Sequence, residues 1–152
     1  MKTIILSLGF AASTLITNLN SNSNDLPTSK VPQNVKQTFQ QKFSKATDAE
    51  WDKMLNGNFE VEFEIGHEDY TALIDENANL IQYKHEIHST ALPETVTNTI
   101  QENYADYHIE DAEELVIGKT SYYQVELEGS ILEKHLVFTS AGKETDKVNY
   151  WD

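Results

Sequence analysis

The first arrangement in the chain with the composition of a ligand site is Asp75-Glu76-Asn77-Ala78-Asn79, with Glu86 eleven residues after Asp75. Side-chain oxygens at alternate positions, closed by a carboxylate at the twelfth, are the spacing of a calcium loop. Leu80 stands where that loop needs glycine, however, and the flanking residues read as strands, so an Asx-rich hairpin turn is the better account. His85 and His88 around Glu86 form the next set. Residues three apart on a strand face opposite sides, so the two histidines cannot close on one ion without a bulge. His67 and His108 fall in apparent loops, and Glu110-Asp111-Ala112-Glu113-Glu114 reads as a solvated connection. Cysteine is absent, which removes thiolate nucleophiles, zinc thiolate sites and disulfides. With no nucleophile motif, phosphate loop or ligand set in its place, the chain reads as a non-enzyme with neither metal nor cofactor.

The carboxylates that remain are arranged for binding rather than turnover. In Phe59-Glu60-Val61-Glu62-Phe63-Glu64-Ile65 four apolar residues alternate with three glutamates. A period of two sends the apolar set into a core and the glutamates to the opposite face of a sheet. Carrying this parity onto neighbouring strands puts Glu60, Glu62, Glu64, Thr71, Leu73, Gln82, Lys84 and Glu86 on the outward face, joined by Tyr122, Gln124, Glu126, Glu128, Glu133 and His135. The candidate partner-binding set within it is Glu60, Glu62, Glu64, Leu73, Lys84, Glu86, Tyr122, Gln124, Glu126, Glu133 and His135. Such a mixture of carboxylates with a few anchors suits a wet protein interface, and it equally suits the solvated side of an antiparallel sheet. Most aromatic residues sit at core parity; Tyr122, Tyr150 and Trp151 are the exceptions.

Charge narrows the partners. The 152 residues carry 25 Asp and Glu against 11 Lys and Arg, a formal charge of −14. That field repels phosphate backbones and anionic lipid, and favours a basic protein or a divalent cation.

The elements that hold this face repeat along the chain. Residues 1–20 begin with Lys2 and a short apolar run, as an export signal does, and the run is too short to span a bilayer. Residues 21–30 are polar, low in complexity and read as a linker. Val31-Pro32 with Val35, Phe39 and Phe43 then matches Leu92-Pro93 with Val96, Ile100 and Tyr104 at a spacing of 61. Phe59, Val61 and Phe63 match Tyr123, Val125 and Leu127 at 64, a change that implies three extra residues between helix and sheet in one copy. Each copy, 31–88 and 92–149, is predicted to be a helix opened by proline and then four antiparallel strands, the last spanning 143–149. The fold class is α+β: tandem αββββ units pairing edge to edge into one antiparallel sheet, with both helices on one face.

With Val31-Pro32 and Leu92-Pro93 opening the helices, Trp51 before the first turn, the Phe59-to-Phe63 strand and the Asp75-to-Asn79 turn, residues 31–147 resemble the PepSY-like family of exported bacterial proteins, a family described as similar to the β-lactamase inhibitory protein. The second copy departs from the pattern at Ala112 and at Thr139-Ser140-Ala141-Gly142. The resemblance implies tandem units with a concave sheet, a periplasmic or secreted location and binding to a protein, and it carries over inhibition of no particular enzyme. With the repeat and the signal-like start, the chain reads as a non-catalytic envelope module that holds or inhibits a protein such as a peptidase or other hydrolase through the open sheet face. The alternative is an acidic cation-binding or structural envelope protein.

Overall fold

Alternation of apolar and charged residues generates the sheet. The computed structural model describes residues 23–152, so the export-signal reading of 1–20 lies outside the described residues. In chain order the elements are β1 (Ser23–Asp25), α1 (Gln33–Lys42), β2 (Thr47–Met54), β3 (Phe59–Ile65), β4 (Glu68–Ile74), β5 (Leu80–Glu86), α2 (Glu94–Asn103), β6 (His108–Ile117), β7 (Thr120–Glu128) and β8 (Glu133–Thr139). The strands form one sheet of 8, every pair antiparallel, in the spatial order of the sequence. A single 3-10 turn, Thr28–Lys30 or Ser89–Ala91, leads into each helix. Pro32 and Pro93 are the N-caps, where a missing amide leaves no helical bond unmade.

Both helices lie on the same side of the sheet. Val35 and Phe39 of α1 pack with Trp51, Phe59, Val61, Phe63, Ala72 and Ile74, while Val96 and Ile100 of α2 pack with Ala112, Val125, Leu127 and Phe138. Tyr83, in the first cluster, pairs across strands with Val116, which shares a face with Ala112 of the second. Each fully buried large side chain is worth about 1.5–3 kcal/mol, so two short helices suffice to hold one face. Aromatic rings concentrate in the first copy: Phe39 meets Trp51 edge-on at 5.2 Å and Phe63 at 4.9 Å.

The two copies share an internal fastening. Thr38 Oγ1 donates to the Ala78 carbonyl at 2.8 Å, and Thr99 Oγ1 donates to the Gly142 carbonyl at 2.8 Å. Ala78 and Gly142 hold the left-handed position of equivalent turns, with φ of 66° and 77°. Trp51 pairs with Val61 and Ala112 pairs with Val125, so the three-residue difference falls in the hairpin after Trp51 or Ala112, not between helix and sheet.

Three expectations change. Residues 143–149 do not form a strand: after an isolated bridge between Phe138 and Glu144 the chain leaves the sheet edge. What draws it away is a strip of apolar surface on the helix-free face, described below. The eighth strand is instead β1, inside the stretch read as a linker, which pairs with the edge of β2. Finally, the acidic run from Glu110 to Glu114 is no loop but the middle of β6: after a bulge at Glu110, residues 111–114 pair with β7, and Glu113 and Glu114 pair with β5 as well. Its parity places Asp111 and Glu113 on the helix-free face, and Ala112 in the core.

Candidate functional site

Cross-strand pairing places all eleven sequence-derived candidates on the face opposite the helices. Glu60 lies beside Leu73, which pairs with Gln82; Lys84 pairs with Leu115, and Leu115 with Tyr122. Glu86 pairs with Glu113, Glu113 with Gln124, and Gln124 with Val137. Glu126 faces His135, and Glu128 faces Glu133. The face is therefore continuous from β3 to β8.

It is not bare. Gln124 is 0% exposed, Lys84 9%, and the apolar Leu115 and Val137 are 0% and 4%, although no helix packs on this side. Leu115 and Val137 belong to neither helix-side cluster. The cover is the segment that leaves β8. Trp151 donates its amide to Gln124 Oε1 at 2.8 Å, and its carbonyl accepts from Gln124 Nε2 at 3.0 Å and from Lys84 Nζ at 2.7 Å. The indole lies over the Lys84 ammonium at 5.5 Å, and its N–H donates to Glu60 Oε2 at 3.3 Å. Tyr150 stacks on His135 with ring centres 4.6 Å apart. Lys84 also pairs with Glu113 at 3.0 Å, and Gln124 Nε2 reaches Glu113 Oε2 at 2.8 Å. A lysine buried among polar groups in this way has every partner it needs, which is why it can sit in the interior at all.

The electrostatics follow from this cover. Burial raises the Glu60 carboxyl above its ordinary range; the indole hydrogen bond works the other way, and Glu62 and Asp52 add to the rise. Burial pushes the Tyr150 hydroxyl well up, reinforced by Glu113, Asp111, Glu126 and Asp152. Beyond the cover, Glu62, Glu64, Asp69, Glu86 and Glu133 remain exposed, and His135 keeps an exposed edge beside Tyr150. Glu86 also titrates high, from partial burial first and then from Asp111, Asp69 and Glu113.

The candidate metal groups separate in space. Asp75 lies in the turn before β5 and Glu86 is the last residue of that strand, about 20 Å of strand apart, so they cannot share a cation. Asp75 instead closes its turn, accepting from the Asn79 amide at 2.7 Å and the Asn79 side chain at 2.9 Å, which holds its carboxyl below the usual range. His85 faces the helix side and stacks on Tyr70 at 4.8 Å, whereas His88 caps a 3-10 turn. Two groups that the sequence reading missed do converge: His108, Glu110 and Glu128, and Glu126, Glu133 and His135, each with ligand atoms within 4.8 Å of one another. They are assembled from facing strands, so only the register brings them together. Also missed were Ile131 and Leu132, 89% and 65% exposed in the β7–β8 loop. Among the described residues no helix is long and apolar enough to cross a membrane.

Comparison with known proteins agrees with this architecture. The family described as "Putative beta-lactamase-inhibitor-like, PepSY-like" matches twice, over residues 10–82 and 57–144. Among solved structures, a DUF2874 family protein from Bacteroides ovatus ATCC 8483 superposes with a TM-score of 0.69 at 17% identity, covering 80% of this chain and 86% of its own. A BLIP-like protein from Bacteroides fragilis NCTC 9343 gives 0.66 at 20%, covering 80% and 89%. One from Bacteroides eggerthii DSM 20697, described as "putative periplasmic proteins", gives 0.68 at 12%, covering 74% and 84%. These three share the fold. Among curated proteins none matches this sequence.

Proposed function

The chain belongs to the PepSY-like family, and from that premise we propose that it is a non-catalytic protein-binding module of the cell envelope, periplasmic or secreted, acting through the helix-free sheet face. The observation that carries this reading is the asymmetry of the sheet. One side is closed by two helices, and the other presents Glu62, Glu64, Glu86, Glu133 and His135 to solvent around a fixed centre. With a net charge of −14 the module attracts a basic partner at long range. Ile131 and Leu132, exposed in the β7–β8 loop at one end of the sheet, are apolar anchors that a protein partner would cover. The family's description and the BLIP-like neighbour support inhibition or regulation of a peptidase or other hydrolase as the finer reading.

The test is retention of envelope proteins on the immobilised wild type and on a Glu62→Lys, Glu126→Lys variant. A partner retained by the first and lost by the second, with salt weakening the interaction, supports the sheet face. Identical retained proteins on both would remove it.

A further inference from the structure

We propose that Lys84, Glu113 and Gln124, with Glu60 at the rim, form a receptor for an extended polypeptide segment bearing an aromatic side chain, and that residues 148–152 occupy it in cis. This rests on the reading of the same face as a protein-binding surface, and adds what that surface takes.

The contacts to Trp151 are addressed first to its backbone. Gln124, fully buried, spends its amide on both the N–H and the C=O of one residue, at 2.8 and 3.0 Å, while Lys84 adds a second donor to the same carbonyl at 2.7 Å. Reading both main-chain groups of one residue is how extended peptides are recognised whatever their sequence, and side-chain contacts then supply the selection. Selection here is for an aromatic ring. The Lys84 ammonium under the indole, Glu60 accepting its N–H, and His135 stacked on the preceding ring favour Trp or Tyr over an aliphatic residue. Leu115 and Val137, directly across the strands from Lys84 and Gln124, complete an apolar floor.

The occupant is exchangeable in principle because it is a strap and not a strand. In the first copy the equivalent stretch is β5, held by ladders on both sides. In the second copy the chain makes one bridge at Glu144, the Thr145 N–H donates a hydrogen bond to the Val137 carbonyl, and the chain then crosses the face with Asp146, Lys147 and Asn149 exposed. Such a segment opens locally at a cost far below global unfolding. Release of the strap exposes the apolar Leu115 and Val137 to water and gives up the contacts to Gln124 and Lys84, so opening is favoured when a chemically equivalent segment takes its place.

The probe is a synthetic peptide of residues 146–152, Asp-Lys-Val-Asn-Tyr-Trp-Asp, titrated calorimetrically into the full chain and into a Tyr150→Ala, Trp151→Ala variant of the full chain. The variant leaves the helix-side cores untouched, and its fold is checked by circular dichroism. It should bind the peptide about tenfold more tightly than wild type or better, because its own occupant competes less well. The same peptide with alanine in place of tryptophan should lose that binding. No uptake of the peptide by the folded variant, or equal uptake of both peptides, overturns the receptor. Neither result touches the acidic rim, so loss of partner retention on charge reversal would still stand on its own.

Discussion

Gln124 and Trp151 are hydrogen-bonded in both directions, the Trp151 amide to Oε1 and Nε2 to the Trp151 carbonyl, at a point where Gln124 has no exposed surface. Only a side chain with both a donor and an acceptor can do this, which accounts for an amide at a position that parity alone would fill with a charge. The same Nε2 reaches Glu113, so the glutamine joins the strap to the Lys84–Glu113 ion pair.

Gln124→Glu should therefore cost about 3 kcal/mol in urea unfolding, although the change alters one atom. A carboxylate cannot donate to the Trp151 carbonyl, and it would face Glu113 at a site shielded from water. Stability within about 0.5 kcal/mol of wild type would mean the strap is not seated as described.

Gly142 and Gly66 both have positive φ, 77° and 73°, yet they should respond differently to alanine. A methyl group at Gly66 meets nothing, so Gly66→Ala costs about 1–2 kcal/mol from backbone conformation alone. At Gly142 it would overlap the Thr95 carbonyl of α2, adjacent to the Thr99 fastening, and Gly142→Ala should cost more than about 4 kcal/mol. Equal midpoints in thermal unfolding would contradict the close approach of turn and helix.

Glu86→Gln should raise the melting temperature at neutral pH. The Glu86 carboxyl titrates above its ordinary 4.5, through burial and through Asp111, Asp69 and Glu113. A raised carboxyl favours the folded state below the unfolded value, and that contribution is lost as pH rises through the folded one, so at pH 7 the charge is a burden. The gain from glutamine should shrink as pH falls toward 4 and in high salt. A gain that persists undiminished at pH 4 would assign it to packing instead.

Ile131→Ser with Leu132→Ser should change stability by less than about 0.5 kcal/mol, because both side chains are already in water. Retention of the envelope partner should nonetheless fall about tenfold or more, as expected for anchors covered on binding. Unchanged retention would remove the β7–β8 loop from the interface.

The sheet was legible in the sequence because its determinants are local and doubled. The alternation in Phe59–Ile65 and its echo at Tyr123, Val125 and Leu127 set the buried face, and the two prolines mark the helix starts. Parity carried every outward candidate to the correct side. It could not reveal that Lys84 and Gln124 are covered, since their cover is Trp151, 67 and 27 residues away, brought over by a segment whose own pattern read as a strand. Trp151 and Tyr150 did stand out as aromatics off the core parity, and their partners were the missing information. The acidic stretch in β6 misled for a related reason: charges beside charges look like loop until both neighbouring strands are known.

The most direct measurement of the account is photo-crosslinking in envelope extract from two sheet-face positions, Glu62 and Glu133, against two exposed helix-side positions, Gln40 and Gln101. A photoreactive side chain at Glu62 or Glu133 should capture one and the same protein, and at Gln40 or Gln101 none. Capture of a common protein from the helix side, with the sheet side silent, would contradict the assignment of the helix-free face as the binding surface.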